Sequence, residues 1–451
     1  MTDFIPPYPK RHAKIPGPID LIKSIGDDLL AIWPEVAFER AFMNFKIFKK
    51  SIFVANYPDA VKYVLVTNQS NYSNKISLVT KALSPLIGQG LFISDGDFWQ
   101  NHRALLMPLF TPERMGQYSQ SIISVIEQRL QQWQSLPSPR PIAMFPEMLS
   151  LSMQTLWQIV FGKPLTTKQF ELLNGYFAHY YQVAGQIDLN SFFGLPSWLS
   201  GNKSSKLEQA AQAIQAIFDD HIAEAGKNPQ ANSLVADFLT LKNAAKLTSN
   251  TEIRNELIGL FMAGYETAAN SLAWSWYLLS QSPAVEQTLF NEVDTVLGKS
   301  PASIDAVDSL AYTRAVIQES MRLYPSMPLL LRETKADDVI RDKPIPAGSI
   351  MLVVPWLLHR HKKHWDKPDH FMPERFLISA EKTPNPFAYI PFGAGPRTCI
   401  GKHLAMVQTT LTLAILAKHF RAVCPAGTRL EHECRLTLRP KGDLPMQLIA
   451  R

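Results

Sequence analysis

The longest apolar stretch of the chain runs from Leu257 to Leu279, and it decides what kind of body the rest can form. A helix built from it is apolar on almost every side, which is the signature of a segment that must be covered. Glu266 and Asn270 stand near its middle. A membrane-spanning helix would find a carboxyl at that depth costly, so the stretch reads as a helix buried inside protein. No run of 18 or more apolar residues occurs. The opening MTDFIPPYPKRHAKIPGP also lacks the apolar core of a signal peptide. No membrane anchor is expected, and the protein is expected to be soluble and cytoplasmic.

A length of 451 residues would ordinarily divide into two or three domains. No low-complexity linker and no internal repeat marks such a division. The expectation is one domain over residues 1–451, mainly α with small β-sheets (α+β). The first fifty residues, with Pro6, Pro7, Pro9, Pro16 and Pro18, read as irregular. SIFVANYPDA predicts a short strand broken at Pro58, followed by a helix around Ala60 to Thr67. From Asp97 to Ala302 the pattern is mainly helical, as in the spacing of Ile122, Ile126, Leu130 and Trp133. GLPSWLSGNKSS reads as a loop within that region. Beyond Tyr324 short apolar runs alternate with turn signals and predict strands. A last long helix is expected at Lys402 to His419, then short strands about a turn near Lys441 to Pro445.

Hydrophobic residues make up 46% and charged residues 19%, which excludes a disordered chain. The net charge of +6 is too small an excess over this length to indicate nucleic acid. It would suit a local basic face for an acidic protein, or it is scattered. Of three cysteines, Cys424 and Cys434 read as reduced thiols. Cys399 stands in Phe392-Gly393-Ala394-Gly395-Pro396-Arg397-Thr398-Cys399-Ile400-Gly401. An inert buried cysteine is the ordinary reading of a lone thiol. A zinc site lacks a second Cys or His at ligand spacing.

That segment resembles the heme-binding signature of the cytochrome P450 family, F-x-x-G-x-R-x-C-x-G, at every fixed position. The resemblance implies that Cys399 is the thiolate ligand of heme b (iron protoporphyrin IX). A thiolate pushes electron density onto heme iron. It must stay ionised, so backbone N–H donors and the positive end of the helix beginning near Lys402 suit it. Gly395 and Gly401 permit tight turns and close approach to a flat ring. Arg397 can meet a propionate, and Phe392 offers an apolar plate beside the sulfur.

Other segments follow in the family's order. Glu319-Ser320-Met321-Arg322, then Leu323-Tyr324-Pro325 and Phe371-Met372-Pro373-Glu374-Arg375-Phe376, resemble its structural ion network. By resemblance Glu319, Arg322 and Arg375 form a buried charge cluster. Ala263-Gly264-Tyr265-Glu266-Thr267 resembles the oxygen-activation motif A-G-x-E-T, with Ala268 where a second hydroxyl is common. Here Ala263 and Gly264 leave room on the oxygen side, or Gly264 is a packing glycine. Thr267 can bond the carbonyl of Ala263 one turn back, and an acid beside it can relay protons. Trp99-Gln100-Asn101-His102-Arg103 resembles the W-x-x-x-R helix that holds a propionate, and Arg332 matches another propionate-contacting position. LRPKGDLPM is similar to the family's C-terminal hairpin.

The implied activity is that of a monooxygenase (hydroxylase type) placing one atom of dioxygen into a small, apolar organic substrate. Glu266 and Thr267 would support protonation; Trp99, Arg103, Arg332, Phe392, Arg397, Cys399 and Gly401 would hold the cofactor. No flavin or nicotinamide motif is present, so electrons are expected from a ferredoxin or flavodoxin type donor, docked on the basic face near Lys402 and His403. Candidate pocket residues are Phe177, Tyr180, Tyr181, Phe192, Phe193, Phe261, Met262, Met327, Leu329 and Leu330. The alternatives are a peroxygenase or isomerase on the same fold, a heme sensor or electron carrier without turnover, and a helical interaction scaffold. The acid–threonine pair favours the monooxygenase.

Overall fold

A computed structural model describes all residues except 1–3, 15–27, 48–49, 74–76, 185–202, 229–231, 245, 248, 299–301, 378–384, 429 and 435. Six helices position the site: α1 (Gly96–Leu106), α2 (Pro112–Gln134), α3 (Met144–Phe161), α4 (Asn250–Ser280), α5 (Ala311–Leu323) and α6 (Lys402–His419). The apolar stretch is α4, capped by Ser249, whose hydroxyl accepts from the Glu252 N–H at 3.2 Å. It packs most extensively on α3, with α5 and α6 also against it. Gly264 makes the α3 contact close: a Cβ there would lie 2.7 Å from Leu156 Cδ1. At the C-terminal part of α4, Trp274 stacks on Tyr324 with ring centroids 3.8 Å apart. The Tyr324 hydroxyl donates to the Pro7 carbonyl at 2.7 Å and ties the proline-rich segment to the core.

The strands are β1 (Phe42–Ile47), β2 (Lys50–Ala55), β3 (Arg140–Ala143), β4 (Leu330–Glu333), β5 (Asp338–Ile340), β6 (Lys343–Ile345), β7 (Ile350–Val353), β8 (Phe420–Val423), β9 (His432–Cys434), β10 (Leu438–Pro440) and β11 (Pro445–Ala450). They form a four-stranded sheet ordered β1-β2-β7-β4, a three-stranded sheet β3-β11-β8, and the pairs β5-β6 and β9-β10. The result is mainly helical with small sheets, as expected. Among the described residues no helix is long and apolar enough to cross a membrane.

Four local expectations change. The first fifty residues are not irregular throughout, because Phe42–Ile47 pairs antiparallel with β2. The helix expected at Ala60 begins at Pro58, whose missing N–H is harmless in a first turn, and passes into a π turn over Tyr63–Thr67. LRPKGDLPM is not one hairpin: β10 pairs with β9, whereas β11 pairs with β3 and β8. Backbone bonds from Met144 and Phe145 to Leu444 and Asp443 draw the chain toward β3 instead. Lys203, Ser204 and Ser205 at the end of GLPSWLSGNKSS are helical, and the remainder lies outside the described residues.

Candidate active site

The loop before α6 is built around glycine. Gly395 has φ +71°, and a Cβ on it would fall 2.0 Å from the Leu65 carbonyl oxygen. The loop closes on itself through the Cys399 N–H to the Phe392 carbonyl (2.8 Å) and the Thr398 N–H to the Gly395 carbonyl (3.0 Å). Cys399 keeps accessible surface, yet burial by surrounding protein is the largest influence on its thiol and pushes it up. Both hold when that surface belongs to a cleft inside the body. Against burial act the Gly401 N–H, Arg103 and Lys402, which favour the thiolate. At Gly401 a Cβ would sit 3.9 Å from the sulfur, an ordinary contact with the protein's own atoms. Its N–H reaches the thiol.

Three guanidinium groups gather beside the loop. Arg397 lies 4.2 Å over the Trp99 ring of α1, donates to the Ser94 carbonyl at 3.1 Å and pairs with Asp95. Its buried Nε has no hydrogen-bond partner. Arg332, on edge strand β4, is pushed down to about 10, first by burial and then by Arg397. Arg103 of α1 is lowered by burial and in turn lowers Arg397. Asp95 is the carboxylate acting on both Arg332 and Arg397. Three cations set against one carboxylate, with an orphaned N–H, call for further anions. The two propionates of heme b answer that excess, so these residues fit the group.

One face of α4 looks into the cleft. Leu260, Ala263, Gly264 and Thr267, spaced at i, i+3, i+4 and i+7, retain surface within an otherwise buried stretch. Thr267 Oγ1 donates to the Ala263 carbonyl at 2.8 Å, the back-bond expected from sequence. The Thr267 carbonyl accepts from Ser271 and Ser326, each at 3.0 Å, which frees the helix locally to bend there. Gly264 combines both readings, since it borders the cleft and its missing Cβ makes room for Leu156. Glu266 does not turn toward Thr267. Its Oε1 accepts from the Thr437 hydroxyl at 2.6 Å, and burial is the largest influence raising its carboxyl.

Glu319, Arg322 and Arg375 do come together. Arg322 Nε and Nη2 bond Glu319 at 2.6 and 2.7 Å, both side chains fully buried, and Arg375 Nε reaches Glu319 at 3.2 Å. The remaining Arg322 N–H groups bond the carbonyls of His359, Pro368 and His370. His359 was not visible as a site residue in the sequence. Its Nε2 accepts from the Ile390 N–H at 2.9 Å and so joins the cluster to the segment leading into Phe392. Burial, then Arg322 and Arg360, push this imidazole down to about 3. A folded pKa below the unfolded value of about 6.5 gives stability that is fully present above pH 6.5 and is lost as pH falls toward 3. In that window the unfolding free energy should drop by up to about 1.4 kcal/mol per pH unit on this account. Urea unfolding at stepped pH checks it: His359→Gln should show a shallower acid slope than the parent, and an equal slope would remove His359 from the acid response.

His102 was also missed. Its Nδ1 and Nε2 meet Glu256 and Glu252 of α4 at 2.9 and 3.0 Å, and the Glu256 hydrogen bond leads the causes that raise it. This ties α1, carrying Trp99 and Arg103, to α4. The aromatic residues expected in the pocket mostly belong to the core. Phe177, Tyr180 and Phe261 are fully buried, and Phe261 packs against Trp157, Phe177 and Phe218. Met262 is buried as well. Met327, Leu329 and Leu330 keep surface, and Phe192 and Phe193 lie outside the described residues.

A mainly helical body with a glycine-rich cysteine loop facing an arginine-rich cleft defines the heme-thiolate class of oxidoreductase. The family model for cytochrome P450 matches residues 37–445, and the chain belongs to that family. It is 29% identical over 430 residues to the LUTEIN DEFICIENT 5 protein of Arabidopsis thaliana, covering 89% of this chain and 71% of that protein. It is 28% identical over 438 residues to cyclooctatin synthase of Streptomyces melanosporofaciens, covering 95% and 94%. Thromboxane-A synthase of Rattus norvegicus is 26% identical, covering 89% and 84%. The crystal structure of the cytochrome P450DA heme domain superposes with a TM-score of 0.81 at 22% identity, over 91% of this chain and 90% of that one, and shows the same fold. Membership carries heme b as cofactor, monooxygenase chemistry in general, a small-molecule substrate and a redox partner.

Proposed function

We propose that this chain is a hydroxylase-type heme-thiolate monooxygenase acting on an apolar small molecule, with Cys399 as the residue whose thiolate would hold the heme iron. The observation that carries this is Cys399 itself, which keeps accessible surface though protein surrounds it, is reached by the Gly401 N–H, and stands near three arginines that outnumber their carboxylate. Arg103, Arg332, Arg397 and Trp99 would hold the heme edge, with Phe392 beside the sulfur. When bound, the heme supplies reductive activation of dioxygen, sending one oxygen atom into substrate and the other to water. Thr267 presents its hydroxyl on the cleft face of α4, and Glu266, one residue before it, holds the proton store. Leu260, Ala263, Leu329 and Leu330 offer the substrate an apolar wall that keeps water out. Electrons would come from a ferredoxin or flavodoxin type donor docking on the face that exposes Lys402 and His403. A large hydrophobic cluster whose members run from Leu30 to Leu448, with a smaller one from Phe53 to Ile390 interleaved in sequence, supports a single domain over the whole chain.

The test is an absorption titration of the ferric protein with fatty acids, terpenoids, steroids and small aromatics, followed by turnover with a ferredoxin. The expected result is a thiolate-type spectrum that moves from low to high spin with one apolar class, and reductant consumed in step with a hydroxylated product. Conversion of a peroxide substrate without reductant would instead make the chain an isomerase on this fold.

A further inference from the structure

Glu266 and Thr267 are neighbours in sequence, yet the structure sends their side chains to different partners. Thr267 stands on the cleft face of α4, whereas the Glu266 carboxylate reaches the β9–β10 hairpin. There Oε1 accepts from Thr437 Oγ1 at 2.6 Å and lies 3.9 Å from Arg439 Nη1. Thr437 belongs to the hairpin turn and Arg439 to β10, where its Nε bonds Glu433 of β9 at 2.6 Å. Arg439 and Glu433 both keep part of their side chains in solvent, so the buried carboxylate is connected to the surface through the hairpin. Glu266 acts in its turn on the phenols of Tyr265 and Tyr181, which burial first, and this carboxylate as well, push up, so both stay neutral. Burial favours the protonated carboxyl; Thr437 and Arg439 oppose it, and Glu433 reinforces it.

We propose that Thr437 is a positioning residue for Glu266: its hydroxyl, backed by Arg439, latches the carboxylate to the hairpin and stabilises its ionised form. The latch rests on the reading above, in which Glu266 stores a proton for the Thr267 side of α4. Protonation weakens the bond from Thr437, because a neutral carboxyl accepts a hydrogen bond less strongly than a carboxylate. Taking up a proton and leaving the hairpin are therefore one coupled event. Glu266 is released toward the cleft in the form that has a proton to give.

Infrared titration of the ferric holoenzyme reads the latch directly, with the carboxyl band assigned by its loss in Glu266→Gln. Thr437→Val should raise the titration midpoint of Glu266 by about one to two pH units, the value of one hydrogen bond to a charged acceptor. Thr437→Ser keeps the hydroxyl and should return the midpoint to that of the parent. Arg439→Gln should also raise it, by a smaller step. An unmoved midpoint in Thr437→Val, or a serine variant behaving like the valine one, would overturn the latch. The proton role is read separately as peroxide released per reductant consumed: a shifted midpoint with unchanged peroxide release in Glu266→Gln would keep the latch and discard that role.

Discussion

Gly395→Ala is expected to yield protein that retains almost no heme and has lost more than about 4 kcal/mol of stability. Two independent costs meet at this position. The backbone sits at φ +71°, where an L side chain costs about 1–2 kcal/mol. The added Cβ would also lie 2.0 Å from the Leu65 carbonyl oxygen and 3.0 Å from its carbon. Those are backbone atoms in the π turn Tyr63–Thr67, and they cannot swing aside as a side chain would. The loop must move away, and it carries Arg397 and Cys399 with it. Gly401→Ala is the control in the same loop. Its Cβ would stand at an ordinary contact distance of 3.9 Å from the sulfur, and the N–H that faces Cys399 is kept. Heme content by absorbance and urea unfolding should separate the two variants sharply. Equal heme retention would mean that the close approach to Leu65 does not govern the loop.

Glu319→Gln should destabilise the protein by about 3–5 kcal/mol, a large share of the stability of an ordinary domain. The carboxylate neutralises Arg322 in a site from which water is excluded, receives Arg375, and accepts from the Met372 N–H at 2.9 Å. An amide of the same shape leaves a buried guanidinium uncompensated. Arg322→Lys should be nearly as damaging as Arg322→Ala, because the guanidinium bonds Glu319 and three backbone carbonyls at once and an ammonium has three donors in all. Through His359 the loss reaches Ile390 and the cysteine loop. Chemical unfolding followed by circular dichroism and by heme absorbance should show both transitions moving together. A Glu319→Gln variant within about 1 kcal/mol of the parent would show the charge to be dispensable.

What the chain determined locally was legible without coordinates. The buried helix, the helix starting at Lys402 and the Thr267 back-bond depend on contacts within a turn or two, and the apolar pattern announces them. The cysteine loop was legible because a short run of fixed residues encodes a single turn. Tertiary structure alone decided the rest. Thr437 is 171 residues from the carboxylate it bonds, and nothing near either residue signals the other. Phe261 carries the same apolar signal whether it lines a pocket or fills a core, and only the packing of Trp157, Phe177 and Phe218 around it settles it. The course of β11 past β10 to β3 depended on strand edges contributed by distant segments. Spacing in sequence records which neighbours a residue has along the helix or turn; the direction of a carboxylate and the partner of a strand edge are set by whichever surfaces the folded chain brings against them.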